Sequence, residues 1–238
     1  MTYRFALGAA LAFLVVIGPL TTSGARASAD RKSASSDEQV CDPLADYFLG
    51  MEDYNEAIQR HEKVIAEHPD NALAHYHLGF AYGLTGQHQK ELEQYQEAIK
   101  LGLDDWQLFL NLGLLYLEAG NLHAAAEVLK LAILLGPGRA ETHYNLGLVY
   151  QREGNLDKAE QEILLSLEID PNQSDARNTL GTIYAEEGKY NRAQTEWKDL
   201  VDADPTYAPA RENLAILQKI ENDEAKSRQH PQDASNTP

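Results

Sequence analysis

The stretch Ala140–Gln173, AETHYNLGLVYQREGNLDKAEQEILLSLEIDPNQ, decides how this chain folds. Leu146, Gly147 and Tyr150 fall on one face of a first helix. Gly154 ends that helix, because glycine enters the left-handed conformation without steric cost. Asn155 is placed to cap a second helix by accepting a bond from a free backbone N–H. Ala159, Ile163 and Leu167 recur every four residues, the mark of a buried helical stripe. Asp170-Pro171-Asn172 stops the second helix, since proline lacks a donor and disfavours helical geometry in the residue before it. The product is a helix–turn–helix hairpin with one apolar seam.

The same unit recurs at a spacing of 34 residues. Leu78-Gly79, Leu112-Gly113, Leu146-Gly147 and Leu180-Gly181 form one series. Tyr82, Tyr116, Tyr150 and Tyr184 form a second, and Gly86, Gly120, Gly154 and Gly188 a third. Pro69, Pro137, Pro171 and Pro205 mark hairpin ends. On these residues the chain resembles the tetratricopeptide-repeat (TPR) family over residues 38–220. The resemblance implies an all-α, right-handed superhelical solenoid of five repeats. Their expected limits are about 38–71, 72–105, 106–139, 140–173 and 174–207, followed by a capping helix over 208–220.

A glycine inside a helix costs about 1 kcal/mol relative to alanine. Its return at one register predicts close approach of the two helices of each hairpin. Ala57, Ala125, Ala159 and Ala193 are the small residues expected opposite it. Each hairpin leaves apolar surface uncovered, so neighbours must stack to complete a core. The first copy departs from the pattern: Leu44-Ala45 replaces Leu-Gly, and Phe48 replaces Tyr. There Asp42 is read as the cap of a shortened helix with Pro43 at its first position. The second copy carries Glu91 in place of alanine and Leu103 in place of proline.

The formal net charge of −17 is spread over helix surfaces without a basic stripe, which argues against a nucleic-acid partner. Residues 5–20, FALGAALAFLVVIGPL, are apolar and are followed by Ala25-Arg26-Ala27 and Ala27-Ser28-Ala29. This reads as a secretory signal peptide over 1–29, and hence a periplasmic or secreted protein. The run of 16 residues is short of the ~20 that span a bilayer, so membrane attachment is expected only if the segment stays uncleaved. Residues 30–37 read as a flexible leader and 221–238 as a disordered tail, both without apolar period. Cys41 is the single cysteine, which leaves no intramolecular disulfide.

No nucleophile, phosphate-cradling or C-x-x-C motif stands out, so no enzyme activity and no small-molecule cofactor is expected. His61-Glu62 lacks the second histidine of H-E-x-x-H, since Ile65 stands there. His68 lies seven residues from His61, about 10 Å along the helix axis. His75 and His77 point away from each other on one helix, and His143 repeats the His75 register at a hairpin seam. No metal site is expected from these spacings.

The informative residues lie on the first helices, away from the seam. Leu110, Leu114 and Leu117 share that side in the third repeat, Tyr144 and Leu148 in the fourth, and Tyr76 and Phe80 in the second. Asn178 and Thr182 hold the equivalent places in the fifth. These residues either pack against a neighbouring repeat or floor a groove. In TPR proteins first helices line the concave surface, and the resemblance implies that Phe80, Leu114 and Leu148 floor it. Asn111, Asn145 and Asn213 recur at the repeat spacing, with Thr179 in the gap. They are similar to the asparagine ladder with which some TPR arrays hold a peptide backbone, or else they bond between repeats. Tyr76, Leu110 and Tyr144 stand where a carboxylate clamp would carry lysine. The function expected from this reading is an exported scaffold that binds a protein or peptide in its groove for envelope assembly. Self-association as a homodimer through the exposed leucines is the alternative, and an accessory subunit of an envelope enzyme is a third.

Overall fold

The computed structural model describes residues 42–229. The expected signal peptide, the leader and Cys41 lie outside the described residues. The described residues form α-helices joined by short turns: α1 (Pro43–Gly50), α2 (Tyr54–Glu67), α3 (Ala72–Leu84), α4 (His88–Lys100), α5 (Trp106–Glu118), α6 (Leu122–Leu135), α7 (Ala140–Arg152), α8 (Leu156–Ile169), α9 (Ser174–Glu186), α10 (Tyr190–Ala203) and α11 (Ala208–Gln229). They fall into two compact units, 42–121 with α1–α5 and 122–229 with α6–α11. No helix among the described residues is long and apolar enough to cross a membrane.

The turns follow from the glycine series. Gly86, Gly120, Gly154 and Gly188 have φ of 71°, 75°, 76° and 75°, a region that a Cβ makes costly. Each lets the next residue's N–H return to a tyrosine carbonyl of the second series. Gln87 donates to Tyr82, Asn121 to Tyr116 and Asn155 to Tyr150 at 2.9 Å, and Lys189 to Tyr184 at 2.7 Å. These bonds satisfy carbonyls that the helix end leaves open. Asp42 caps α1 through Leu44 N, with Pro43 at the first helical position, and Asn155 caps α8 through Lys158 N, both as expected. In the second repeat, where Leu103 replaces proline, Gly102 at φ 91° ends α4 instead.

The helical glycines at 79, 147 and 181 seat large side chains, which lie nearer to them than any alanine side chain. A Cβ added at Gly79 would lie 2.7 Å from the Tyr95 ring, and one at Gly147 would lie 2.7 Å from Ile163 Cδ1. At Gly181 it would collide with the Trp197 indole. Tyr95, Ile163 and Trp197 are fully buried, so each of these three hairpins closes by pressing one large residue of its second helix into a gap in its first. Ala57, Ala125, Ala159 and Ala193 are buried too. Of these, Ala159 reaches the Gly147 gap only through its carbonyl oxygen, at 3.4 Å. Glu91 is accommodated by a local exchange. Its carboxylate fills the space beside Gly83, where a Cβ would lie 2.7 Å from Glu91 Oε1. Leu117, Gln151 and Ala185 hold the Gly83 register in later repeats.

Polar bonds reinforce the same packing. His75 Nδ1 meets Gln94 Oε1 at 2.7 Å, His143 Nδ1 meets Glu162 Oε2 at 2.8 Å, and Arg177 meets Glu196 at 3.4 Å. All three span 19 residues, so His143 does sit at the hairpin seam of the His75 register. Between hairpins, the Tyr82 hydroxyl donates to Glu62 at 2.7 Å and the Tyr184 hydroxyl to Glu160 at 3.0 Å. Residues 208–220 form a helix as expected, burying Ala210 and Leu217 against α9 and α10. That helix runs on to Gln229, which corrects the expectation of disorder for 221–229; residues 230–238 lie outside the described residues. The overrun, ENDEAKSRQ, has no proline or glycine to stop it and is rich in good helix formers.

Candidate functional site

In the unit of residues 42–121, the expected groove residues divide by burial. Phe80, Leu110 and Leu114 are half-buried, on the side of α3 and α5 turned from the glycine seam. Tyr76 is buried, with its ring 5.9 Å from that of Tyr95. Its hydroxyl accepts a bond of 3.2 Å from Asn111 Nδ2, joining α3 to α5. Burial raises the Tyr76 phenol far above its ordinary value. Tyr76 and Asn111 thus hold two repeats together. Leu117, expected on the same side as Leu114, is fully buried.

In the unit of residues 122–229, Tyr144, Asn145 and Leu148 on α7 are half-buried. Burial pushes the Tyr144 phenol up to about 12. Asn145 Nδ2 donates to the Glu141 carbonyl of its own helix at 2.7 Å. Asn178 and Asn213 are wholly enclosed, and Asn213 Nδ2 donates to Asn178 Oδ1 at 3.0 Å. This corrects their expected place in a groove. They join α9 to α11, and the alternative of bonding between repeats describes them. Thr182 is also buried, donating to the Thr179 carbonyl at 2.7 Å. The asparagine series therefore splits: Asn111, Asn178 and Asn213 bond between repeats, and Asn145 stays at the surface. Register alone could not separate them, because the burial of each depends on which side chain the neighbouring repeat brings against it.

Two features escaped sequence reasoning. Leu131, Leu134 and Leu135 at the end of α6 are 44%, 76% and 43% exposed, an apolar patch on that helix. The other feature is a cluster of Asp46, His61 and His77, whose candidate ligand atoms all lie within 4.8 Å of one another. The expectation of no metal site rested on spacings within single helices, whereas α1, α2 and α3 each contribute one member here. His61 and His77 are 1% and 4% exposed. Burial, then the neighbouring His77, lowers the His61 imidazole to about 4, so it is neutral at ordinary pH. Burial opposes ionisation of Asp46, but His77 beside it outweighs that and holds the carboxyl below its ordinary value.

Sequence profiles described as "Tetratricopeptide repeat" match residues 72–102, 110–174 and 163–195, and one described as "TPR repeat" matches 48–86. No curated protein matches. Among solved structures the chain is similar to MamA, with 25% identity and a TM-score of 0.65 over 71% of this chain and 99% of that one. A tetratricopeptide repeat protein from Parabacteroides merdae aligns with 21% identity and a TM-score of 0.68, over 78% of this chain and 74% of that one. YrrB, described as a TPR protein with an unusual peptide-binding site, aligns with 22% identity and a TM-score of 0.63 over 71% of this chain and 87% of that one. Repeat spacing, hairpin geometry and these matches agree, and the chain belongs to the tetratricopeptide-repeat family.

Proposed function

We propose that this chain is an exported protein-interaction scaffold that takes a peptide or protein partner on the faces of its first helices. The observation that carries this reading is the set of half-exposed apolar residues there: Phe80 and Leu114 in one unit, Tyr144 and Leu148 in the other. None of these is needed to fill the glycine seam. Such side chains gain about 25 cal/mol per Å² when an apolar partner covers them. Asn145 offers an amide beside Tyr144 for a bound backbone. YrrB, of the same fold, is described as having a peptide-binding site. The apolar leader and its small-residue cleavage patterns support export, and with it a role in envelope assembly. The acidic balance favours basic or neutral partners over nucleic acid.

The test is selection of peptides on the purified chain, followed by anisotropy titration with Leu114→Asp, Leu148→Asp and Asn145→Ala. Loss of affinity of tenfold or more in an aspartate variant, with unchanged circular dichroism, supports the reading. Undiminished binding in all three refutes it. Export is tested by fractionation of expressing cells and N-terminal sequencing of the product.

A second reading is self-association, favoured by the exposure of Leu131, Leu134 and Leu135. Two copies related by a twofold axis would cover both patches at once. Sedimentation of the parent and of Leu134→Glu decides it: a dimer dissociated by the substitution supports it, and a parent monomer at high micromolar concentration excludes it.

A further inference from the structure

Asp46, His61 and His77 come from three successive helices and converge on one point. Asp46 Oδ1 lies 2.9 Å from His77 Nδ1 and 3.9 Å from His61 Nε2. Despite these approaches, Asp46 Oδ1, His61 Nε2 and both ring nitrogens of His77 make no hydrogen bond of acceptable geometry. The two imidazoles meet edge to face with centroids 5.4 Å apart. Buried polar atoms ordinarily find partners, and three residues whose unpartnered atoms converge call for an explanation. A shared proton can satisfy one pair of these atoms and leaves the others bare. A cation at their meeting point satisfies one atom from each residue.

We propose that Asp46, His61 and His77 bind a divalent transition-metal ion, with Zn²⁺ as the fitting example. Two imidazole nitrogens and one carboxylate oxygen suit a borderline cation better than Ca²⁺ or Mg²⁺, which take oxygen ligands. In a tetrahedral site with bonds of ~2.1 Å, ligand atoms sit about 3.4 Å apart. The observed 2.9 and 3.9 Å lie on either side of that spacing, and all three ligand atoms lie within 4.8 Å of one another, so side-chain rotation would be needed to close the set on an ion. Asp46 has 23% of its side chain exposed, so the cluster lies close to solvent, from which a water would have to supply a fourth ligand. The ion would clamp α1 onto α2 and α3. Leu44 and Tyr47 on α1 are 52% and 58% exposed, whereas Ala45 is fully buried and Leu49 packs against the Ile58 and Leu78 cluster, so the ion would add to these anchors. Because the ligands come from three helices, binding is coupled to folding of the first repeats. The site is independent of the partner-binding reading above.

The test is calorimetric titration of the chelator-treated full chain with Zn²⁺ at pH 7.5, with a thermal melt of each sample. The expected result is one saturating site per chain, a higher Tm with Zn²⁺, and a loss of affinity of tenfold or more in Asp46→Asn and in His77→Gln. His123→Gln, outside the cluster, should bind as the parent does. Asp46 is partly exposed and its replacement is isosteric, so that variant carries the test if His77→Gln does not fold. Absence of a saturating site in the parent overturns the proposal. So does a site that Asp46→Asn leaves unchanged, which would mean adventitious binding to surface histidines.

Discussion

The Trp197 indole occupies the space that a side chain at Gly181 would need, and its Nε1 donates to the Asn178 carbonyl at 3.2 Å. The ring is fixed by that bond and by complete burial, so it cannot give way to a methyl group. Gly181→Ala is therefore expected to destabilise the protein by about 2 kcal/mol, despite alanine's better helix propensity. Gly147→Ala should cost less, because it meets the flexible end of Ile163. Gly50→Ala meets nothing within 4 Å and should be neutral or stabilising. Urea unfolding of the three variants checks the order, and equal effects would contradict the seam geometry.

The buried asparagine pair predicts a sharp division among residues of one sequence series. Asn213→Ala removes the donor to Asn178 Oδ1 inside a closed environment, which should cost about 2 kcal/mol. Asn145→Ala removes a bond to its own helix at a half-exposed position and should cost under about 0.5 kcal/mol. Comparison of the two midpoints in urea tests the division.

Glu91 gives a pH dependence whose sign is set by burial. Desolvation raises its carboxyl above the ordinary value, against the pull of His88, with Tyr95 and Glu118 also facing it. The folded state thus favours the neutral acid, and the ionised form at pH 7 weakens folding. As pH falls through the raised folded value towards the ordinary 4.5, the parent regains this stability. Glu91→Gln should accordingly exceed the parent in stability at pH 7, by a margin that shrinks towards pH 4.5. Unfolding curves at several pH values measure it, and a margin that widens on acidification would refute the assignment.

The terminal helix separates a packed half from an exposed one. Leu217 is fully buried, and Leu217→Ala should cost about 3 kcal/mol. Residues 221–226 are almost all exposed, and truncation after Ile220 should leave Tm within a few degrees of the parent. Differential scanning calorimetry distinguishes the two.

The hairpins were legible in the sequence because backbone demands leave residue signatures. The left-handed turn needs Gly154, and the helix end is marked by Pro171. Sequence periodicity also placed Ala159, Ile163 and Leu167 inside; the first two are fully buried, while Leu167 is half-buried and Ser166 beside it is enclosed. What faces what was not legible. Gly147 signalled a close approach, but whether Ala159 or Ile163 filled it depended on the crossing of the two helices. Asn145 and Asn213 share a register and differ in burial because Asn213, on α11, is packed against α9 with Asn178 as partner, while Asn145 stays at the surface of α7. Asp46, His61 and His77 show no common spacing, since their convergence is produced by three helices packing together. The half-exposed apolar residues Phe80, Leu114 and Leu148 were found by elimination from the seam, and they retain that status in the folded chain.

Photo-crosslinking from defined positions tests the central claim most directly. A benzophenone amino acid is placed at 114, at 148 or at 134, and each chain is illuminated with its selected peptide partner. The account predicts peptide adducts from 114 or 148 and none from 134. Adducts from 134 alone would contradict it and move the binding surface to the exposed leucines of α6.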